Sequence, residues 1–309
     1  MNTKKSYGLA VQALSPKIAY IAKNIPSEIV RDIQEIRLRV NRPISFCTGN
    51  ITYYLTENGS ITAEPSGKLL TVDKDDIRLT FNNLCNYSVF SKQNEIRNGF
   101  ITIRGGSRAG ICGTAVVENN AILNIRDISS INLRIASERI GCADDLLSII
   151  SEPERGFLLC GAPCSGKTTI LRDVARQLSA SHNVSVIDSR SELAGTYMGE
   201  AQSDVGMCDV LDGYQKNDGF DHAVRCLSPG IVVCDEIGDE LDALSIENAI
   251  CSGVSVIASA HCPNKDELMH KPSLLRLIQN RAFKNIVFLK SRREIGRIGE
   301  IVTCDELLG

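Results

Sequence analysis

GFLLCGAPCSGKTTILRDVARQL, residues 156–178, is the stretch of sequence that decides the fold of this chain. Its centre, Gly161–Thr168, matches the phosphate-loop pattern G-x-x-x-x-G-K-[ST] at every fixed position. The apolar run before the loop is typical of a buried strand, and the residues after it have helical apolar spacing. Since strand, glycine-rich turn and helix N-terminus are the context that this motif requires, the sequence predicts an α/β nucleotide-binding fold.

The chemistry of such a loop is anion binding. Backbone N–H groups of the loop and of the first helical turn converge on a phosphate, helped by the positive end of the helix dipole. We expect Lys167 to reach the β- and γ-phosphates and the Thr168 hydroxyl to bind Mg²⁺, so the predicted cofactors are ATP and Mg²⁺. The nucleotide-binding residues predicted from the motif are Gly161, Ala162, Pro163, Cys164, Ser165, Gly166, Lys167, Thr168 and Thr169.

Composition narrows the class of protein. A chain of 309 residues with 43% apolar residues can form two packed domains. Its net charge of −3 argues against a protein that wraps nucleic acid. No apolar run approaches the roughly 18 residues of a spanning helix, and the N-terminus lacks a secretory pattern, so we expect a cytoplasmic location. The 12 cysteines form no C-x-x-C pair, and buried reduced thiols explain them best.

The two halves of the sequence differ in pattern. Residues 1–147 predict a smaller α+β domain, with helical spacing over 15–34 and 75–86, an extended run over 35–49, and a hairpin that turns at Gly105 and Gly106. Residues 148–309 predict the P-loop domain, with a polar linker over 148–154. Short β-branched runs alternate there with helical patterns, which is typical of a mainly parallel sheet. These runs are 184–188, 231–235, 254–260 and 285–289.

Acidic residues follow one of these predicted strands. Asp235 is expected to bind the metal, and Glu236 to orient or deprotonate the attacking water. An apolar run followed by two acids is a weak signal alone, because helix N-termini also favour acids. The phosphate loop upstream strengthens the functional interpretation.

Two further strand ends carry candidate residues. Asp188 ends the strand 184–188, and Arg190 and Glu192 follow it; helix capping and surface pairing are alternative explanations for these residues. His261 ends the strand 254–260. Because ligands bind at the carboxyl ends of parallel strands, we expect all three strand ends to face the phosphate loop.

The order of these segments resembles that of the secretion ATPases, the RecA-like motors of type II and type IV secretion and pilus assembly. The closer resemblance, which extends along nearly the whole chain, is to the stage III sporulation protein AA family. It is carried by EIRLRVNRPI (35–44), YSVFSKQNEIRNGFITIRGGSRAGICGTAV (87–116), SSINLRIASERIGCADDLL (129–147) and DSRSELAG (188–195).

This resemblance implies a RecA-like core and a homo-oligomeric, hexameric ATPase. It also implies association with the cytoplasmic face of a membrane-embedded, secretion-like sporulation complex, without nucleic acid. Glu192 corresponds to the family's acidic box and His261 to its histidine box. Arg108 and Arg134 resemble the arginines of the N-terminal domain that reach the γ-phosphate, although a structural pairing with an acid is the alternative for both.

Several other functions share a phosphate loop. A nucleotide-gated scaffold without turnover is the main alternative, and Glu236 speaks against it. A small-molecule kinase would need an arginine-rich lid, whereas residues 199–219 contain little arginine. A GTPase is suggested by Asn264–Glu267, but the base-reading pattern N-K-x-D requires aspartate one position later. A recombinase or helicase conflicts with the charge and with the lack of basic–aromatic interleaving.

Overall fold

The structure is a computed structural model that describes residues 3–118, 121–136, 139–291 and 294–309. Two compact units make up the chain. Unit 1 comprises Met1–Glu138 together with Gly195–Gln202, and unit 2 comprises Arg139–Ala194 together with Ser203–Gly309. The proposed domain boundary at residues 147 and 148 remains a prediction.

Unit 1 contains a mostly antiparallel sheet that packs with helices around one apolar core. Its helices are α1 (Thr3–Gln12), α2 (Pro16–Ala22), α3 (Ser27–Val30), α4 (Lys74–Leu84) and α5 (Gln93–Arg97). Its strands are β1 (Glu35–Arg39), β2 (Arg42–Pro43), β3 (Ser45–Cys47), β4 (Thr52–Leu55), β5 (Ile61–Thr62), β6 (Thr71–Val72), β7 (Phe100–Thr102), β8 (Arg108–Glu118) and β9 (Ala121–Arg134). The main sheet has the order β5-β4-β3-β1-β9-β8-β7, and β2 pairs with β6.

Local sequence explains where several of these elements begin and end. Asp73 caps α4, because its side chain accepts the Asp76 N–H while the Asp76 side chain accepts the Asp73 N–H. The helical spacing predicted over residues 15–34 corresponds to two helices, α2 and α3. The helical segment breaks between α2 and α3, where Pro26 has an extended ψ of 138° and leads into the second helix.

The predicted hairpin is confirmed and is longer than its sequence pattern indicated. Strands β7 and β8 pair antiparallel around Gly105 (φ 91°) and Gly106 (φ 71°). Strand β8 then continues to Glu118 and pairs along its length with β9. Strands β8 and β9 thus form a second hairpin, and two register shifts interrupt its alternation of polar and apolar residues. Because of this interruption, the sequence pattern does not predict β9.

The segment Gly195–Gln202 belongs to unit 1 although it follows the acidic cluster of unit 2. The Gln202 side chain accepts the Gly105 N–H at 2.7 Å, and the Tyr197 hydroxyl is hydrogen-bonded by the Asn86 amide. Lys92 also lies over the Tyr197 ring, with its Nζ 5.5 Å from the ring centroid. This segment, called the inserted arm below, is held in unit 1 by specific polar contacts.

Unit 2 is built on a mainly parallel sheet. Its strands are β10 (Phe157–Cys160), β11 (Val184–Asp188), β12 (Asp209–Asp212), β13 (Ile231–Glu236), β14 (Ser255–Ala260), β15 (Asn285–Leu289) and β16 (Ile298–Thr303). They lie in the order β12-β11-β13-β14-β10-β15-β16, with only β16 antiparallel among the described strands. Strands β10, β11 and β14 are buried almost throughout, as a sheet covered on both faces requires.

Helices cover both faces of this sheet. They are α6 (Asp144–Ile149), α7 (Lys167–Leu178), α8 (Lys216–His222), α9 (Glu240–Cys251), α10 (Lys265–Met269), α11 (Pro272–Gln279) and α12 (Cys304–Leu308). Two separate clusters of buried apolar side chains lie in unit 2. The α/β fold and the four strands predicted after the phosphate loop are therefore confirmed, to within one residue at each end. In the described part of the chain, no helix has the length and apolar character needed to cross a membrane.

Candidate functional site

The phosphate loop lies between β10 and α7. Two of its residues have left-handed backbone conformations, Cys164 with φ 63° and Gly166 with φ 100°. A side chain at Gly166 would also approach the Gly296 backbone nitrogen within 3.1 Å, so glycine is required there for two reasons. Ser165 is fully buried, and its hydroxyl has no hydrogen-bond partner among the described residues. A buried orphan hydroxyl in a turn of this kind fits the binding of an anion.

Lys167 is the first residue of α7, and its ammonium group lies inside the loop. Nζ donates to the carbonyl oxygens of Gly161 (2.7 Å) and Ala162 (3.0 Å). It also lies 2.9 Å from His261 Nδ1. Burial lowers the pKa of Lys167, while the nearby Glu236 carboxylate opposes that shift. The ammonium is thus already oriented toward the loop.

His261 connects Lys167 to Glu236. Its Nε2 lies 2.8 Å from Glu236 Oε2, on the opposite side of the ring from the lysine. An ammonium has only donors, so Nδ1 must accept from Lys167 and the proton of the neutral ring must reside on Nε2. That N–H then donates to the Glu236 carboxylate. The three side chains form a continuous hydrogen-bonded row from β14 and β13 to the phosphate loop.

Asp235 lies beside this row and is buried. Its Oδ2 accepts from the Ser189 hydroxyl at 2.8 Å, and its Oδ1 lies 3.1 Å from Lys216 Nζ. Lys216 also pairs with Asp242, at 3.2 Å. Burial lowers the pKa of Lys216, but the two carboxylates outweigh burial and raise it above its ordinary value. Asp235 therefore has an ammonium partner that the motifs did not reveal.

The acidic cluster after β11 is held by a buried carboxylate and a half-buried guanidinium group. The Asp188 carboxylate accepts the N–H groups of Glu192, Leu193 and Ala194 at 2.7–3.0 Å. From α7, Arg172 donates to the carbonyl oxygens of Glu192 (2.7 Å) and Leu193 (2.6 Å). Burial raises the pKa of Asp188, and the three amides oppose that shift. Asp188 thus closes a turn over residues 192–194. The described residues between β11 and β12 contain no helix, so the helix-capping alternative does not apply, and Glu192 is fixed at its backbone.

Arg108 and Arg134 lie in unit 1. They are directly paired across β8 and β9, so the two predicted arginines share one position of the sheet. The Arg108 guanidinium stacks on the Phe100 ring, 4.5 Å from its centroid. Arg134 pairs with Glu35 at 4.0 Å while its side chain remains 67% exposed. The structure groups these two arginines with each other.

Within unit 2, the ends of β13 and β14 meet the phosphate loop through Glu236, His261 and Lys167, and the end of β11 contacts Asp235 through Ser189. The donor set fits a nucleotide: loop amides, Lys167 and the Ser165 hydroxyl suit phosphate oxygens. The Thr168 hydroxyl and the Asp235 carboxylate supply the oxygen ligands that Mg²⁺ prefers. These roles remain predictions that the geometry supports.

Sequence reasoning missed Ser189, Arg172 and Lys216. Ser189 follows β11 directly, and its position at a strand end could have been noticed. Lys216 begins a seven-residue helix that no clear periodicity indicated. The GTPase alternative loses its main feature, because the Asn264 side chain caps α10 by accepting the Glu267 N–H at 2.8 Å.

Comparison with known proteins agrees with the resemblance. The family described as "Sporulation stage III, protein AA" matches residues 8–305. The stage III sporulation protein AA of Bacillus subtilis (strain 168) is 36% identical over 289 residues, which cover 91% of this chain and 90% of that protein.

Two solved structures share the fold. The Legionella pneumophila ATPase DotB has 16% identity and a TM-score of 0.50, with 84% of this chain and 72% of that chain covered. The pilus retraction motor PilT with bound ADP has 15% identity and a TM-score of 0.53, with 84% and 75% covered. The sheet order, the phosphate loop and the extent of these matches lead to one conclusion: the chain belongs to the stage III sporulation protein AA family and has the RecA-like fold of the secretion ATPases.

Proposed function

We propose that this protein hydrolyses ATP with Mg²⁺ and uses the energy to assemble or operate a membrane-embedded, secretion-like complex during sporulation. The observation that carries the proposal is the row Lys167–His261–Glu236, which joins the phosphate loop to a carboxylate on a neighbouring strand. A protein that only binds nucleotide needs the lysine but has no use for a carboxylate aligned with it. The family and the two ATPase-like structures agree with this activity.

Each residue of the site has a defined task in this proposal. The loop amides, with Lys167, bind the phosphates, and Thr168 with Asp235 would hold the metal. Bound Mg²⁺ would supply neutralisation of charge on the phosphate oxygens. Glu236 takes the proton of the attacking water, and Glu192 assists it.

His261 has a second task in the same scheme. Its Nε2–H holds the Glu236 carboxylate, and its Nδ1 holds the ammonium, so movement of Lys167 toward a phosphate is transmitted to Glu236. We propose that His261 and Arg134 respond to the γ-phosphate and that Arg108 contributes to nucleotide binding. An exposed arginine such as Arg134 acts as an arginine finger when the site is completed by assembly. The proposed assembly is a homo-oligomer, a hexamer, at the cytoplasmic face of the membrane complex.

The decisive experiment separates binding from turnover. Phosphate release without an added acceptor and equilibrium binding of a fluorescent ATP analogue are measured for the wild type, Glu236→Gln and Lys167→Ala. We expect Glu236→Gln to bind with unchanged affinity and to lose at least about a hundredfold in turnover, the range for a general base. Lys167→Ala should lose binding.

A nucleotide-gated scaffold is the second candidate function. It is favoured if the wild type binds ATP tightly but releases no phosphate in any assembly state. Normal turnover by Glu236→Gln would instead remove Glu236 as the base. Mass measurement with and without a non-hydrolysable ATP analogue tests the hexamer.

A further inference from the structure

Lys216 occupies a position that the phosphate-loop chemistry alone does not require. Its Nζ lies 3.1 Å from Asp235 Oδ1 and 3.2 Å from Asp242 Oδ2. Only 11% of the Lys216 side chain is exposed, against 7% for Asp235 and 14% for Asp242. An ammonium group is thus enclosed between the carboxylate at the end of β13 and a carboxylate in the first turn of α9.

Local structure gives no reason for a lysine here. Lys216 is the first residue of α8, where the positive end of the helix dipole disfavours a cation. The partners of the lysine therefore account for its position. Two buried carboxylates close together repel each other, and the ammonium between them removes most of that repulsion.

The surrounding contacts fix both carboxylates. Asp235 Oδ2 accepts from Ser189, and Asp242 Oδ2 accepts the Gly238 N–H at 2.8 Å. With Lys216 in contact with its other oxygen, Asp235 is oriented and its negative charge is offset in part. A divalent cation that approaches Asp235 must share that carboxylate with an ammonium group that is already in contact.

We propose that Lys216 is a positioning residue that lowers the intrinsic affinity of Asp235 for Mg²⁺, so that the metal binds only together with a triphosphate. The inference rests on the proposed function and assigns its metal dependence to one side chain. Free Mg²⁺ gains less from a carboxylate that is already in contact with an ammonium group, because the two cations repel each other. Mg²⁺ bound to a triphosphate brings further oxygen ligands and needs less from the protein. Without Lys216, Asp235 and Asp242 together would attract a divalent cation without nucleotide.

The test measures metal binding with no nucleotide present. Mn²⁺ replaces Mg²⁺ as the probe, and free Mn²⁺ is followed by electron paramagnetic resonance during titration of the full-length protein. We expect Lys216→Met to bind Mn²⁺ at least about tenfold more tightly than the wild type, since one positive charge in contact is lost. The double variant Lys216→Met with Asp235→Asn should lose this gain.

Lys265→Met is the matched control, because Lys265 pairs with Glu300 at 2.7 Å on the surface. It should leave Mn²⁺ affinity unchanged. Equal Mn²⁺ affinity of Lys216→Met and the wild type, with both folded by circular dichroism, overturns the proposal. So does a gain in affinity that survives Asp235→Asn.

A second variant covers the case in which Lys216→Met does not fold. In Asp242→Asn, the Lys216 ammonium pairs with the Asp235 carboxylate alone and competes more strongly with the metal. The Mg²⁺ concentration that half-saturates binding of a fluorescent ATP analogue should therefore rise several-fold. An unchanged Mg²⁺ requirement overturns the proposal. The Mn²⁺ titration involves no hydrolysis, so failure of the proposed ATPase activity and failure of this inference are observed separately.

Discussion

Arg172 donates a hydrogen bond of 2.7 Å to the backbone carbonyl oxygen of Glu192, so the helix that begins in the phosphate loop also fixes the acidic cluster. The same guanidinium donates to the Leu193 carbonyl oxygen at 2.6 Å. Two parallel donors from one planar group are a geometry that lysine cannot reproduce. Arg172 therefore links the two parts of the candidate site through the backbone.

Replacement of this arginine tests that link. We expect Arg172→Lys to lower the free energy of unfolding by about 2 kcal/mol, because at least one carbonyl oxygen loses a charged donor in a buried environment. Urea denaturation measures the change. Arg78→Lys is the control, since the ion pair described for Arg78, with Asp75, is exposed, and this variant should change stability by less than about 0.5 kcal/mol. Equal stability of Arg172→Lys and the wild type would contradict this role of Arg172 in holding the acidic cluster.

His261→Gln should reduce ATP turnover far more than ATP affinity. Glutamine cannot bridge the Lys167 ammonium and the Glu236 carboxylate with the geometry of the ring, whereas the loop amides that bind phosphate are untouched. The expected loss in phosphate release is about a hundredfold, with nucleotide affinity within about threefold. His270→Gln serves as the control, because His270 contacts only the backbone oxygen of Asp266 among its described partners. A parallel loss of affinity and turnover would show that His261 acts in binding instead.

The carboxylate of Asp173 makes stability depend on pH in the acid range. Burial raises its pKa, but the Ala143 N–H and the Arg176 guanidinium outweigh burial and hold the pKa below its ordinary 3.8. A group whose folded pKa is depressed stabilises the protein above its unfolded pKa and loses that contribution as pH falls through the folded value.

We therefore expect Asp173→Asn to be less stable than the wild type by about 2 kcal/mol at pH 7, and the difference to shrink below about pH 4. Urea denaturation at several pH values gives the profile. The exposed Asp75→Asn should show a much smaller difference throughout. A difference for Asp173→Asn that stays constant down to pH 2 would refute the assignment.

Alkylation of Cys164 reports directly on phosphate binding. Cys164 is exposed within the loop, whereas burial raises the pKa of Cys160 and Cys234 and makes those thiols unreactive. Iodoacetamide labelling, followed by peptide mass spectrometry, should show that Mg·ATP slows modification of Cys164 several-fold. Cys251, exposed at the end of α9, should react at the same rate with and without nucleotide. Equal protection of both thiols would indicate a global change.

The sequence predicted the sheet of unit 2 well because its strands are buried on both faces. Runs such as 184–188 and 285–289 contain few polar residues, so their limits are visible and agree with β11 and β15. Strands β12 and β16 lie at the edges of the sheet and mix acidic with apolar residues. Edge strands have one solvated side, and their pattern is therefore weaker.

The residues of the candidate site also differ in whether the sequence predicts them. Residues within a fixed-spacing motif, such as Lys167, can be assigned from the amino-acid sequence alone. Lys216 lies 19 residues before Asp235, and Arg172 lies 20 residues before Glu192. Each residue contacts its acidic partner because α8 and α7 return along the sheet. Only the fold brings these residues together, so their spacing along the chain does not predict the contacts.

The inserted arm has a consequence for dissection of the protein. The chain passes from one unit to the other three times, after Glu138, after Ala194 and after Gln202. A fragment that ends at Glu138 would leave the Gly105 amide without Gln202 and the Asn86 side chain without Tyr197. Residues 1–138 expressed alone would therefore lack part of unit 1. A minimal fragment of this unit would also need the eight residues of the inserted arm, Gly195–Gln202.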